Sequence, residues 1–243
     1  MSDMGNPDVV FATPSLTHMV CKRYNRSILQ TTWMLAQRGL TAGHMDRDGD
    51  CFVAKARNKL VWDFLRQFPH TQNFFFIDDD VGWPAEKVIE FLGRPEDVVC
   101  GIYPKKCAEL DFPMSLATAD GKLIHRDGLY LAVLAATGFM RIRRHVLETL
   151  CEAAPKFRDM EPDGSMVEYP SLFESGPGPD GLWWGEDYTF CRKWQAIGGD
   201  IWIDPDIQFS HQGLNNWDGR LIDNLHILEQ KAAAIVPEME AAE

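Results

Sequence analysis

A chain of 243 residues with 45% hydrophobic content is long enough for one well-cored domain, and nothing in its composition requires a second. The formal net charge of −12 argues against general affinity for nucleic acid, which comes from Lys and Arg neutralising phosphates. The longest apolar stretch, residues 129–140, is interrupted by Thr137 and Gly138 and is too short to span a bilayer, and no basic start with a following apolar run marks a signal segment, so a soluble cytoplasmic protein is expected.

Apolar runs of strand length alternate with segments of helical period, the pattern of an α/β protein with a largely parallel sheet. The first strand is Val9-Val10-Phe11-Ala12, ended by Thr13-Pro14-Ser15. A helix is predicted over residues 28–38, with Gly39 just past its end. Asp46-Arg47-Asp48-Gly49-Asp50 hints at a calcium loop, but its glycine falls too early and no glutamate closes twelve residues, so it reads as a turn. Residues 53–67 form a second helix, since Val53, Ala56, Leu60, Val61 and Phe64 recur at three- and four-residue spacing before Pro69. The strand Phe74-Phe75-Phe76-Ile77 follows and closes on Asp78-Asp79-Asp80.

Pro84-Ala85-Glu86 opens a third helix that buries Val88, Ile89 and Leu92 and stops at Gly93. Residues 98–103 are another buried strand. From 112 to 134, short apolar runs split by Ala119-Asp120-Gly121 and Arg126-Asp127-Gly128 predict antiparallel excursions, so the sheet is expected to be mixed. A helix is predicted over 143–151, and the Gly- and Pro-rich stretch 174–181 is expected to hold neither helix nor strand, serving as a lid or a plain surface loop. A helix over 186–197 ends at Gly198-Gly199, a last strand pair runs from Asp200 to near His211, and residues 237–243 are expected to fray.

Cys21, Cys51, Cys100, Cys107, Cys151 and Cys191 contain no CxxC pair, which fits reduced structural thiols rather than a zinc or redox centre. Two basic clusters, Arg141-Arg143-Arg144-His145 and Lys105-Lys106, read either as solvated faces or as binding surfaces and decide no partner. The triple aspartate is the more informative charge run. Like charges beside a buried strand end repel unless a cation or several donors relieve them, so they mark a site for a hard divalent ion, with a solvated acidic turn as the plain alternative.

Order along the chain adds to this. A strand with a Thr13-Pro14 turn precedes a helix bearing Ala56-Arg57-Asn58, then Ile77-Asp78-Asp79-Asp80, Thr137-Gly138-Phe139, Trp184-Gly185-Glu186-Asp187, and Asp204-Pro205-Asp206 followed by His211. Over about residues 8–213 this series resembles the GT-A glycosyltransferases, closest to their family-2-like members. The resemblance implies a GT-A, Rossmann-like α/β fold: a mixed, mainly parallel central sheet flanked by helices. It implies a single domain over 1–243, with a nucleotide-sugar half over about 8–103, an acceptor and catalytic half over 104–213, and a C-terminal helix and tail over 214–243.

By the same resemblance, the activity is metal-dependent transfer of a sugar from a nucleoside diphosphate sugar, with UDP-sugar favoured, to a hydroxyl acceptor. That acceptor is a glycan, a small molecule or a hydroxymethylated DNA base, the last unsupported by the net charge. Asp80 and His211 match the ligands of Mn²⁺ or Mg²⁺, the imidazole favouring manganese, and Asp78 matches the aspartate that faces the ribose or the metal's waters. Asp79 falls on the donor side without a defined task. Asp187 matches the general base and Glu186 stands beside it at a helix start, which implies inversion while leaving retention open. Thr13 and Pro14 fall where the base is laid, Arg57 and Asn58 where base or diphosphate is approached, and Trp184, Trp183 and Gly138 on the acceptor side.

Structural alternatives stand beside these roles: a carbonyl-bonded His211, a helix-capping Glu186 or Asp187, a surface Arg57, an ordinary turn at Thr13, core tryptophans including Trp83, and a Gly138 that serves strand packing. Two rival functions are disfavoured. A sugar-1-phosphate nucleotidyltransferase carries a glycine-rich basic loop where Ala12-Thr13-Pro14-Ser15-Leu16 stands, and a catalytically silent nucleotide- or carbohydrate-binding module has no need of Asp80, Asp187 and His211 together. No dinucleotide or P-loop glycine motif is present.

Overall fold

Strand β1 (Val9–Ser15) sends Val10 and Ala12 into one hydrophobic cluster and Val9 and Phe11 into another, on opposite faces of a sheet. A computed structural model describes residues 6–240, with side chains through residue 233. After β1 come α1 (Lys22–Gln37), β2 (Ala42–Asp48), α2 (Val53–Gln67), β3 (Asn73–Ile77), β4 (Val81–Gly82), α3 (Ala85–Gly93) and β5 (Val98–Gly101). Then follow β6 (Met114–Leu116), β7 (Thr118–Ala119), β8 (Lys122–Leu123), β9 (His125–Arg126), β10 (Leu129–Ala135), β11 (Phe139–Arg143) and α4 (Arg144–Ala153). The last part contains β12 (Lys156–Met160), β13 (Met166–Pro170), β14 (Gly176–Pro177), β15 (Trp183–Trp184), α5 (Glu186–Ala196), β16 (Trp202–Asp204), β17 (Phe209–Gln212), β18 (Asn216–Gly219) and α6 (Leu225–Glu240).

The main sheet has the order β2-β1-β3-β11-β5-β16-β10-β6, with β9 paired to β10. Strands β2, β1, β3, β5 and β16 run one way, and β11 and β10 run against them. The fold is therefore mixed α/β on a mainly parallel central sheet. Helices α2, α4 and α5 cover one face through Leu60, Phe64, Val146, Leu150 and Phe190, while α1 and α3 cover the other through Ile28, Leu35, Val88 and Phe91. In β3 the same alternation puts Phe74 and Phe76 on the first face and Phe75 and Ile77 on the second. All four are fully buried, and each side chain of that size contributes about 2 kcal/mol on burial.

Several elements differ from the expectation. β1 runs on through Pro14 because its ladder with β3 ends at Ala12, so from Thr13 onward it pairs with β2 alone and a missing donor is tolerated. α1 starts at Lys22, six residues before the predicted start, with the Cys21 thiol accepting from the Tyr24 N–H. The Asp46 to Asp48 segment is the end of edge strand β2, and only Gly49 and Asp50 form the turn. The stretch 174–181 does carry a strand, β14, paired with β15. β16 and β17 are no pair: β16 lies in the main sheet beside β5, and β17 lies between β4 and β18 in a small separate sheet. α6 is helical past Pro237 to Glu240, and residues 241–243 lie outside the described ones.

The antiparallel excursions are present. Asp120-Gly121 and Asp127-Gly128 hold positive φ (50° and 68°; 49° and 79°), the backbone of a tight type I′ hairpin. The arginines of the basic cluster at 141–145 do not form a solvated face, although His145 is exposed. Arg141 is fully buried and Arg141 and Arg143 donate to the Arg94 carbonyl beyond α3, while Arg144 donates to the Phe68 and Leu65 carbonyls at the end of α2. Arginines there neutralise the negative ends of two helices. Burial pulls Arg141 down to about 9. Among the described residues no helix is long and apolar enough to cross a membrane.

Candidate functional site

The C-terminal ends of β1 and β3 open onto a cleft of about 930 Å³, the place where open α/β sheets bind ligands. Pro14, Ser15, Asp78, Asp79, Asp80, Tyr103 and His211 line it, with an apolar lip of Leu16, Met19, Val20 and Leu214. β11 reaches the same end from the other direction, so the Asp78 N–H bonds to the Gly138 carbonyl at 3.0 Å and Thr137 comes alongside.

Arg57 organises the inner part. Its side chain is 3% exposed, its Nη2 donates to Asp78 Oδ1 at 2.9 Å, and its Nε lies 3.7 Å from Glu186 Oε1 and 3.8 Å from Asp187 Oδ1. Nε and Nη1 have no hydrogen-bond partner of their own among the described residues. Burial works against the guanidinium charge, but Asp78, Asp187 and Glu186 outweigh it and raise its pKa. Asp78 also accepts from the Tyr103 hydroxyl at 2.9 Å, and burial together with Asp78 pushes that phenol well up.

Asp187, at the start of α5, accepts from the Thr137 hydroxyl at 2.5 Å. Burial pushes its carboxyl up to about 6, with Glu186 and Asp78 adding to the shift and Arg57 and Thr137 opposing it. Glu186 accepts weakly from Ser175 at 3.4 Å. The arrangement holds three carboxyl groups around one buried cation, one of them poised to exchange a proton near neutrality.

The outer part is built on Asp80 and His211. His211 Nδ1 lies 2.7 Å from the Pro104 carbonyl, which can only accept, so Nδ1 carries a hydrogen and, in the neutral form that binds metals, Nε2 turns its lone pair outward. Nε2 stands 3.4 Å from Asp80 Oδ1, and that oxygen is buried without a hydrogen-bond partner. Two acceptors facing each other with no hydrogen between them fit a cation. A divalent cation would be held by these two atoms, an imidazole nitrogen and a carboxylate oxygen. Among the described residues no group of three or more His, Cys, Asp or Glu is placed to hold a metal, so this pair would need ligands from a bound molecule. Asp80 Oδ2 pairs with the Lys106 ammonium. Burial alone would raise the Asp80 carboxyl, but His211 and Lys106 beside it together lower it.

The other candidates divide. Asp79 is raised by burial and by its neighbours Asp80 and Asp78, and its carbonyl accepts from the Cys21 N–H. Pro14 lines the cleft, whereas Thr13 is buried with its hydroxyl bonded to Tyr24 at 2.7 Å. Asn58 is also turned away: its amide accepts from Leu172 and Phe173 N–H and donates to the Phe173 carbonyl, which corrects its placement on the nucleotide. Asp78 lines the cleft but already serves Arg57 and Tyr103, so it is not an open ligand.

Gly138 serves packing, since a Cβ there would collide with the Asp78 carboxylate and the Tyr103 hydroxyl. Trp83 is core, donating to Thr31 at 3.0 Å. Trp184 packs its ring over Gly178 and donates to Asp180, while Trp183 is 74% exposed. Sequence reasoning passed over Tyr103 and Lys106. Tyr103 had a signal, as a polar tip just past the C-terminal end of a central parallel strand, and Lys106 had none beyond a surface-like Lys-Lys pair.

No family model and no curated protein matches the chain. Among solved structures, the crystal structure of a glycosyltransferase involved in the glycosylation of the major capsid of PBCV-1 is similar over 59% of this chain, with 14% identity and a TM-score of 0.33. The match spans 63% of that chain, less than two thirds.

Proposed function

We propose that the chain is a metal-dependent glycosyltransferase of the GT-A type, moving a sugar from a nucleoside diphosphate sugar to a hydroxyl acceptor with inversion. The observation that supports this most is the Asp80 and His211 pair, two lone pairs facing across 3.4 Å in a cleft whose Asp78 shares Arg57 with Asp187. A divalent cation there, completed by donor phosphate oxygens, would supply Lewis-acid neutralisation of the leaving diphosphate. The imidazole makes Mn²⁺ the better fit than Mg²⁺. The apolar lip at Leu16 and Val20 gives the nucleoside base a face to lie on, and UDP-sugars are the first donors to try.

In the reaction, the acceptor oxygen attacks the anomeric carbon as the bond to the diphosphate oxygen breaks, and the electron pair leaves with the diphosphate. Asp187 takes the hydroxyl proton. A carboxyl near 6 is mostly ionised at pH 7 yet basic enough to share the proton in the transition state. Arg57 keeps the neighbouring acids charged without letting them repel the base out of place. Trp183, exposed on β15, offers the acceptor an aromatic platform. A DNA acceptor is not proposed, because Arg141, Arg143 and Arg144 are engaged inside the fold.

The test is donor hydrolysis: the protein incubated with a panel of nucleotide sugars and Mn²⁺, with release of nucleoside diphosphate measured before and after chelation. Metal-dependent release is expected, and Asp80→Ala removes Mn²⁺-dependent UDP or GDP binding. Absence of release from every donor, together with no Mn²⁺-dependent UDP or GDP binding, would sink the proposal. Release of pyrophosphate with a sugar phosphate and a nucleoside triphosphate would point to nucleotidyl transfer instead.

A further inference from the structure

The loop after β5 is clamped on both sides of Lys106. The Pro104 carbonyl is bonded to His211 Nδ1 at 2.7 Å, and the Cys107 carbonyl accepts from Trp217 Nε1 at 2.7 Å. Lys105 turns away to Asp111 at 2.6 Å. Lys106 alone points its ammonium at the cleft, onto Asp80 Oδ2, with its stem along Gly213, where a Cβ would meet the Lys106 Cδ at 3.2 Å. The side chain is 34% exposed, so its head is free to turn about a fixed root.

One carboxylate cannot serve two cations equally. A divalent ion between Asp80 and His211 outcompetes an ammonium for the same charge and repels it at close range. Lys106 then needs another anion within reach of its stem, and a diphosphate bound to that same ion is the nearest one. We propose that Lys106 is the counter-charge that holds Asp80 before metal and donor arrive and then turns onto the donor's diphosphate oxygens. This rests on the reading of the cleft as a donor site.

Two consequences follow from the linkage. Metal alone meets competition from Lys106, whereas metal with a diphosphate gains a partner from it, so Lys106 makes the two bind cooperatively. Each must strengthen the other by the same factor. The lysine then also neutralises charge on the leaving diphosphate as the anomeric bond breaks.

The experiment uses Mn²⁺ alone, followed by electron paramagnetic resonance, and then UDP and GDP at saturating Mn²⁺, followed by calorimetry. Lys106→Met keeps the stem on Gly213 and removes the charge. It is expected to bind Mn²⁺ alone about fivefold more tightly than wild type and the nucleotide with Mn²⁺ about tenfold more weakly. Lys106→Arg retains most of the coupling. If Lys106→Met leaves both affinities unchanged while Asp80→Ala still abolishes Mn²⁺ binding, the Lys106 assignment falls and the donor-site reading stands. If neither wild type nor Lys106→Met binds Mn²⁺ with or without nucleotide, both fall.

Discussion

Arg57 donates from Nη2 to Asp78 Oδ1 at 2.9 Å and thereby ties helix α2 to the end of strand β3. The same guanidinium faces Glu186 and Asp187 at the start of α5, so three elements meet on one charge. Arg57→Met would strand three carboxylates around an apolar stem. The expected loss is about 3 to 5 kcal/mol of stability, the usual effect of removing one partner from a buried ionic group. Urea unfolding measures it, and Arg57→Lys should recover part of the loss by restoring the charge without the fork.

Asp187 predicts a pH profile. As a base it must be ionised, so donor turnover should be low at pH 5, rise through an apparent pKa near the 6 to which burial pushes this carboxyl, and level off above neutrality. Asp187→Asn should lose about a hundredfold or more in transfer while keeping Mn²⁺-dependent nucleotide binding. Because the folded-state value lies above the ordinary one, near 4, stability is lost as the pH rises from about 4 to about 6, and the deficit is complete above that. The asparagine variant should therefore be at least as stable as wild type at pH 8. A variant that turns over at near wild-type rate would remove Asp187 from the chemistry.

Gly138 predicts a steric effect. A methyl group there collides with the Asp78 carboxylate and the Tyr103 hydroxyl, which hold each other at 2.9 Å. Gly138→Ala should cost about 1 to 3 kcal/mol and displace Asp78 from Arg57, with loss of turnover. Removing the hydroxyl in Gly138→Ala with Tyr103→Phe relieves half the collision, so thermal stability should partly return. An additive double mutant would mean that the two residues do not meet as described.

The parts of the fold visible in the sequence are those that one physical signal dominates. β1, β3 and α2 announce themselves by continuous apolar runs or helical spacing, because their buried faces are made of hydrocarbon. β2 gives no such signal: it is an edge strand in which Met45 is the one buried residue. The β12 and β13 hairpin is silent for a related reason, since Lys55, Lys59, Asp159 and Glu161 hold it by charge against α2. At the site, the acids could be named from their order, but not what faces them. Arg57 and Asn58 are adjacent in one motif, yet neighbours on a helix point about 100° apart, so one meets the acids and the other the Phe173 backbone.

Acid should loosen that hairpin first. Glu161 accepts from Lys59 at 2.7 Å, Tyr169 at 2.6 Å and Arg47 at 2.8 Å. Burial alone would raise its carboxyl, but these bonds bring it down to about 2, and Lys59 and Lys55 bring Asp159 to about 2 as well. Both values lie below those of an unfolded chain, near 4, so the stability they contribute is complete above about pH 4.5 and disappears as the pH falls toward 2. Glu161→Gln keeps the size and loses the charge, and should cost about 2 kcal/mol at pH 7. The melting temperatures of the two proteins should then converge between pH 4.5 and pH 2.5, as wild type loses the carboxylate that the variant lacks throughout. A gap that stays constant over that range would mean that Glu161 holds the hairpin by shape rather than by charge.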